Sequence, residues 1–193
     1  QAKPSTPMMG ICLGMQQLAV AYGAKLRKVE THGPISDNIY GPAHDLHINR
    51  GTLFHAIQPT GGKIIGRSAA AEITARVVQR IKPAHDVVIN SVHWRAIDEA
   101  SIPPQVQVVA RAPDDIIEAI HIKGTNALGV QNHPEKDVAT NSHSRRLFAA
   151  FGLMMQGKLD LSKEAQFETF ATRLIARQRI ALRSAVRHLT AAR

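Results

Sequence analysis

An α/β fold follows from three observations on the amino-acid sequence. Residues 8–23 read as a strand, a sharp turn and a helix: an apolar start at Met8-Met9, a turn with Cys12 set between Gly10 and Gly14, then a helix-like run Leu18 to Tyr22 closed by Gly23. Further on, the β-branched run 86–90, the alternating stretches 106–112 and 116–122, and the short apolar run 127–130 read as strands. The second and third of these are joined by Pro113-Asp114-Asp115 and form an antiparallel hairpin. The chain has 193 residues, 44% hydrophobic and 20% charged, which suits one domain with its own core.

The remaining elements fall around these. Residues 1–6 are polar and contain a proline, as a linker or loop would. Residues 25–40 read as strand and loop, with breakers at Gly33-Pro34 and Gly41-Pro42. Residues 44–48 alternate as an edge strand does, and 50–54 open a short helix or turn. Within 69–81, Ile73, Val77 and Ile81 recur at helical spacing, although a strand is also open there. In the hairpin, Val106, Val108 and Ala110 share one side and Gln107, Val109 and Arg111 the other. Asn141 or Ser142 caps a helix whose inner stripe is Leu147, Phe148, Phe151 and Met154 or Met155, and Gly157 stops it. Residues 162–192 read as one long helix, with Phe167, Phe170, Leu174 and Leu182 on one face and Arg173, Arg177, Arg179, Arg183 and Arg187 largely on the other.

Charge and composition narrow the function classes. The net charge is +9, but residues 163–193 hold one Lys and six Arg against two Glu, a net of +5, which leaves +4 for the rest. The excess therefore lies in a tail, and the domain as a whole does not read as a specific nucleic-acid binder. Aromatics, at 4%, offer few platforms for stacking on bases. The tail helix either packs back on its domain with a solvated Arg face, or meets a membrane or partner. One cysteine rules out an internal disulfide and fits a reducing, cytoplasmic setting. No run approaches the roughly 20 apolar residues of a membrane span, and residues 1–7 lack the apolar core of a signal peptide.

That cysteine is the first candidate for chemistry. A lone cysteine is usually a small buried hydrophobe. Flanking glycines argue otherwise, because a packed strand interior does not want them. A nucleophile elbow does: its tight turn leaves no room for Cβ atoms and lifts the nucleophile onto a helix N-terminus, where free N–H groups favour thiolate. The partner candidate is Gly129-Val130-Gln131-Asn132-His133-Pro134-Glu135. Taken alone, His133-Pro134 reads as a turn that ends a strand. In extended backbone, however, His133 and Glu135 point the same way, so Glu135 could orient an imidazole that takes the thiol proton. His44 and His47 read as solvent-facing strand residues. A metal site would need further ligands at sensible spacing, and none is evident, so no metal is expected.

Together, the elbow and the His-Pro-Glu segment resemble the two signatures of class I glutamine amidotransferase-like proteins, the superfamily that includes the γ-glutamyl hydrolases grouped as C26-type cysteine peptidases. Asn90-Ser91-Val92-His93 and the blocks 108–114 and 117–120 are most similar to the γ-glutamyl-γ-aminobutyrate hydrolase branch. Thr31-His32-Gly33-Pro34-Ile35-Ser36 instead resembles the anthranilate synthase glutaminase subunits. The resemblance covers residues 7–157 and implies a three-layer, doubly wound, mostly parallel sheet, with 158–193 as a helical extension. It also implies about four strands' worth of chain ahead of the elbow, including a Gly-rich turn that supplies an oxyanion donor; those N-terminal strands are absent from this sequence. The connection 58–83 is longer than the superfamily usually has.

The roles implied are then definite. Cys12 is the nucleophile, His133 the general base and later acid, and Glu135 the group that orients it. The Leu13 N–H is one oxyanion donor. Gln16 lies near the amino-acid end of the substrate by resemblance. Ser91 and His93 are substrate-binding candidates, or else a capping serine and a packed histidine; Trp94 walls the pocket or simply packs. No cofactor is required. Three functions remain open: a free-standing hydrolase of small γ-glutamyl amides, a glutaminase subunit that passes ammonia to a synthase partner, and a catalytically incomplete binding module. A homo-oligomer is also open.

Overall fold

The computed structural model describes residues 5–34, 37–49, 52–57, 64–65 and 87–163. The helix readings over 69–81 and 162–192 lie outside the described residues, apart from the first two positions of the second.

The centre is a mixed sheet of six strands: β1 (Met8–Ile11), β4 (His47–Asn49), β5 (Ile64–Ile65), β8 (Val106–Arg111), β9 (Ile117–Ile122) and β10 (Ala127–Val130). They lie side by side in the order β1-β10-β9-β8-β4-β5. β1 runs parallel to β10, and β4 parallel to β5; the β10–β9, β9–β8 and β8–β4 pairings are antiparallel. Among the described residues, parallel pairs are thus the minority in an otherwise α/β plan. Two small antiparallel pairs flank the sheet: β2 (Leu26–Lys28) with β7 (Arg95–Ile97), and β3 (His44–Asp45) with β6 (Val88–Ile89).

Three layers arise because the strands bury both faces. On β10, Leu128 and Val130 enter a core with α2 (Leu53–Ile57) and the long helix α4 (Ser142–Met155). Ala127 enters the opposite core beneath α1 (Leu13–Ala21), with Met15, Leu18, Ile120 and Ile122. α1 lies close to the sheet at Gly129, where an added Cβ would come within 2.7 Å of Met15 Cγ. A strand flanked on both sides reads as a continuous apolar run rather than an alternating one, as 127–130 does.

Some local expectations change. The hairpin forms, with Asp115 at φ 66° in its turn, but a register shift between Val108 and Ala110 breaks the alternation, and Val109 and Ala110 are both buried. Residues 44–48 do not make one edge strand. His44–Asp45 pairs outward with β6, whereas His47–Asn49 lies inside the main sheet between β8 and β5. The strand read at 86–90 shrinks to Val88–Ile89, and Val88 is exposed because β6 pairs with β3 alone. Helix α4 behaves as read. Asn141 caps it by accepting from His143 N, Leu147 and Met154 point inward, Met155 faces solvent, and Gly157 at φ 66° ends it. Among the described residues, no helix is long and apolar enough to cross a membrane.

His143 sits buried at the start of α4, its ring 5.3 Å from that of Phe54. Burial, with a smaller push from the Arg146 guanidinium, lowers its pKa from 6.5 to about 4. Because the folded state then binds fewer protons than the unfolded chain, stability is full above pH 6.5, falls as pH drops, and levels off below about 4. The loss should be on the order of 3 kcal/mol. Urea unfolding across this window should show the slope in the wild type and a flatter one in His143→Gln; equal slopes would exclude His143 as the source.

Candidate active site

The parallel register of β1 and β10 is what assembles the site. Ile11 pairs with Val130, so Cys12 and Gln131 leave the sheet side by side at its C-terminal edge, and Cys12 N donates to Val130 O at 2.8 Å. Cys12 takes φ 49° and ψ −106° as it caps α1. A residue with a side chain pays strain for this conformation, and such strain collects at functional turns. It is the backbone of a nucleophile elbow. Gly10 is needed there: a Cβ would lie 2.6 Å from the Gly14 carbonyl carbon and oxygen. Gly14 is not needed for the same reason, since a Cβ on it meets nothing within 4 Å among the described residues.

The thiol is half-buried. Burial raises its pKa, and the Leu13 amide and the Gln131 side chain work against that by favouring the thiolate. The Glu135 and Glu118 carboxylates, further off, raise it again. Gln131 Nε2 lies 3.6 Å from Sγ, and Sγ lies 3.9 Å from Val92 O. With the Leu13 amide, these are the sulfur's hydrogen-bond partners among the described residues; His133 is not one of them.

His133 stands three residues past Val130 as the N-cap of a single-turn helix α3 (Pro134–Asp137), with Pro134 in the first turn. Its Nδ1 meets Glu135 Oε1 at 2.7 Å. The expected pair therefore forms, but across the first helical turn rather than along extended backbone. With Nδ1 engaged as donor, Nε2 is the nitrogen left to accept a proton. Asn90 fixes the backbone here: its Nδ2 donates to His133 O at 2.9 Å, and its Oδ1 accepts from His133 N at 2.8 Å. The Tyr40 ring lies edge-on to the imidazole at 5.4 Å, with Lys136 Nζ 5.1 Å from the Tyr40 centroid.

The three substrate-binding candidates are buried and engaged inside the fold. Gln16 Nε2 donates to Arg95 O at 2.7 Å and to Gln131 Oε1 at 3.1 Å, so it ties α1 to the 92–95 loop. Ser91 Oγ donates to His32 O at 3.0 Å. His93 Nδ1 meets Arg95 O at 3.0 Å, and its Nε2 faces Glu118. Trp94 is 57% exposed and covers Gly33. Sequence reasoning missed Asn90 and Gln131 as braces, although both lie in the motifs that flank the site. Tyr40 carries no pattern that could have flagged it.

An elbow cysteine and a His–Glu pair at one edge of a three-layer α/β sheet define a class I glutamine amidotransferase-like protein. Comparison with known proteins narrows this. Residues 1–135 match the Peptidase C26 family, and the chain belongs to that family. It is 28% identical over 157 residues to the γ-glutamyl-γ-aminobutyrate hydrolase PuuD of Escherichia coli K12, an alignment that takes in 75% of this chain and 52% of that protein. It is 31% identical over 132 residues to anthranilate synthase component 2 of Saccharolobus solfataricus, covering 67% of this chain and 51% of the relative. The chain thus spans about half the length of the curated relatives it matches. A solved structure from Thermoplasma acidophilum, described as that of a GMP synthase subunit, superposes with a TM-score of 0.53 at 17% identity, over 80% of this chain and 60% of that one, which shows a shared fold.

The two elbow glycines should respond differently to alanine. Gly10→Ala drives a methyl into backbone and should cost about 1–3 kcal/mol or more. Gly14→Ala replaces a helical glycine in open space and should be neutral or slightly stabilising, by up to about 1 kcal/mol. Thermal unfolding of both variants decides it; equal destabilisation would contradict the geometry.

Proposed function

We propose that this chain carries the thiol chemistry of a hydrolase of γ-glutamyl amide bonds. The observation that supports it best is the strained Cys12 elbow at the same sheet edge as the His133–Glu135 pair. In this reading the Cys12 thiol gives its proton to His133 Nε2, and the thiolate attacks the γ-carbonyl to form a thioester. His133 then returns the proton to the departing amine or ammonia, and a water activated by the same imidazole releases the glutamyl product. Glu135 holds the imidazole in one tautomer and stabilises its charge. The Leu13 N–H, at the helix N-terminus beside the sulfur, is the first oxyanion donor. Burial that raises the thiol pKa makes this base necessary. Gln16 acts here through the 92–95 loop, shaping the wall on the substrate's amino-acid side.

A second reading has its own support. The likeness to anthranilate synthase component 2, together with the 31–36 segment, favours a glutaminase that delivers ammonia to a synthase. Turnover of glutamine and of γ-glutamyl amines, with and without a candidate synthase, separates the two. The hydrolase reading expects partner-independent turnover of γ-glutamyl amines; a chain silent until the synthase is added would favour the second. In either case Cys12→Ala and His133→Ala should each lower kcat at least about 10³-fold. Glu135→Gln should lose less, about 10²-fold, because its carboxylate is partly solvated and acts only through the imidazole. Wild-type turnover in Cys12→Ala would sink both readings.

A further inference from the structure

Beneath the 90–95 loop lies a second group of ionisable side chains that the thiol chemistry does not use. Glu118 on β9 is 1% exposed, and its Oε1 is approached by three imidazoles: His32 Nδ1 at 3.2 Å, His93 Nε2 at 3.5 Å and His44 Nε2 at 3.7 Å. The ligand atoms of His32, His93 and Glu118 all lie within 4.8 Å of one another. The ring of His32 is 4.8 Å from each of the other two rings.

The outer nitrogens of these rings are already engaged. His93 Nδ1 meets Arg95 O at 3.0 Å, and His44 Nδ1 meets Asp45 O at 3.0 Å. A carbonyl oxygen only accepts, so both Nδ1 atoms carry the proton, and the neutral rings turn a bare Nε2 inward. His32 Nε2 lies 3.1 Å from the Asp114 carboxylate, which likewise places a proton outward, and its Nδ1 faces both Glu118 Oε1 at 3.2 Å and Ser91 Oγ at 3.2 Å. Two bare imidazole nitrogens, with His32 Nδ1 beside them, then face one carboxylate oxygen. No hydrogen bond reaches His44 Nε2, His93 Nε2, Glu118 Oε1 or Glu118 Oε2 among the described residues. Buried acceptors aimed at one another need a cation between them. A proton on His32 Nδ1 would reach Glu118 Oε1 yet leave the inward nitrogens of His44 and His93 facing that oxygen unpaired, and a proton on each of the three rings leaves a net +1 against the two carboxylates in a buried site. A divalent ion leaves zero.

The spacing suits a metal. Bonds of ~2.0–2.1 Å in a tetrahedral site put neighbouring ligand atoms roughly 3.3 Å apart, close to the 3.2, 3.5 and 3.7 Å found around Glu118 Oε1. The outer contacts are those that metal-bound histidines make, a backbone carbonyl or a carboxylate on the second nitrogen. We propose that His32, His44, His93 and Glu118 form a binding site for a divalent transition-metal ion of the zinc type, with Asp114 orienting His32. Spacing in the sequence gives no sign of it, because the ligands come from four separate segments. His47, two residues before Asn49 on β4, is not among them. The ion would pin the 29–34, 43–46 and 91–95 stretches onto β9, and so hold Val92 O against Cys12 Sγ. Its role is to brace the site wall; the ion takes no part in the thiol chemistry.

The test uses the full 193-residue chain, stripped with a chelator and titrated with Zn²⁺ and with Co²⁺. One equivalent of each should bind, Zn²⁺ should raise Tm, and Co²⁺ should give the intense visible bands of a four-coordinate nitrogen–oxygen site. His44→Gln and Glu118→Gln should each weaken Zn²⁺ binding by at least about tenfold and abolish those bands. Asp114→Asn should weaken binding about 10–100-fold while keeping the bands, as loss of an orienting carboxylate does. His47→Gln should change nothing. His44 lies at the rim, so its variant remains informative if Glu118→Gln fails to fold. A wild-type chain that binds no stoichiometric metal, or binding that survives His44→Gln at full strength, would overturn the proposal.

Discussion

The parallel pairing of β1 with β10 is the constraint on which the rest of the structure depends. The two strands are separated by more than a hundred residues, yet their register is fixed over four consecutive pairs. A slip of one residue would turn Leu128 and Val130 away from the core they share with α4. It would also carry Gly129 out from under Met15, and α1 could no longer lie flat on the strand there. Packing on both faces of β10 therefore sets the register, and the register brings Cys12 and His133 to one edge.

The surroundings of that edge are built to hold it. Asn90 grips the His133 backbone from both sides, and Gln16 ties the first helix to the 92–95 loop and to Gln131. These are buried, engaged polar groups, and removing one would leave its partners unsatisfied at a cost of about 1–3 kcal/mol. The same loop carries Ser91 and His93 down to the histidine cluster around Glu118. Glu118 in turn is joined to the elbow through the sheet, since its carbonyl accepts from Gln131 N at 2.8 Å. The site and the cluster below it thus share one loop and one strand.

Much of this was legible in the sequence, for physical reasons that can be named. The elbow was readable because a tight strand-to-helix turn explains a glycine two residues ahead of a lone cysteine, and α4 because its cap, stripe and stop agree. The hairpin was readable from its turn residues, whereas the bulge at Val108–Ala110 was not, because extra backbone leaves no mark on a pattern of valines and alanines. Gly14 was assigned a steric need that Gly10 alone has. Residues 44–48 misled because one alternating stretch serves two different sheets. The histidine cluster was out of reach: His44 gains its companions only when four distant segments fold onto Glu118, and no local spacing foretells that.

The proposed chemistry requires the imidazole at residue 133 to activate the sulfur at residue 12. Intact-mass measurement after exposure to a γ-glutamyl chloroketone tests it most directly. A single adduct mapped to Cys12 should form, markedly more slowly in His133→Ala and not at all in Cys12→Ala. Labelling of Cys12 at an unchanged rate in His133→Ala, or no labelling of the wild type at all, would contradict it.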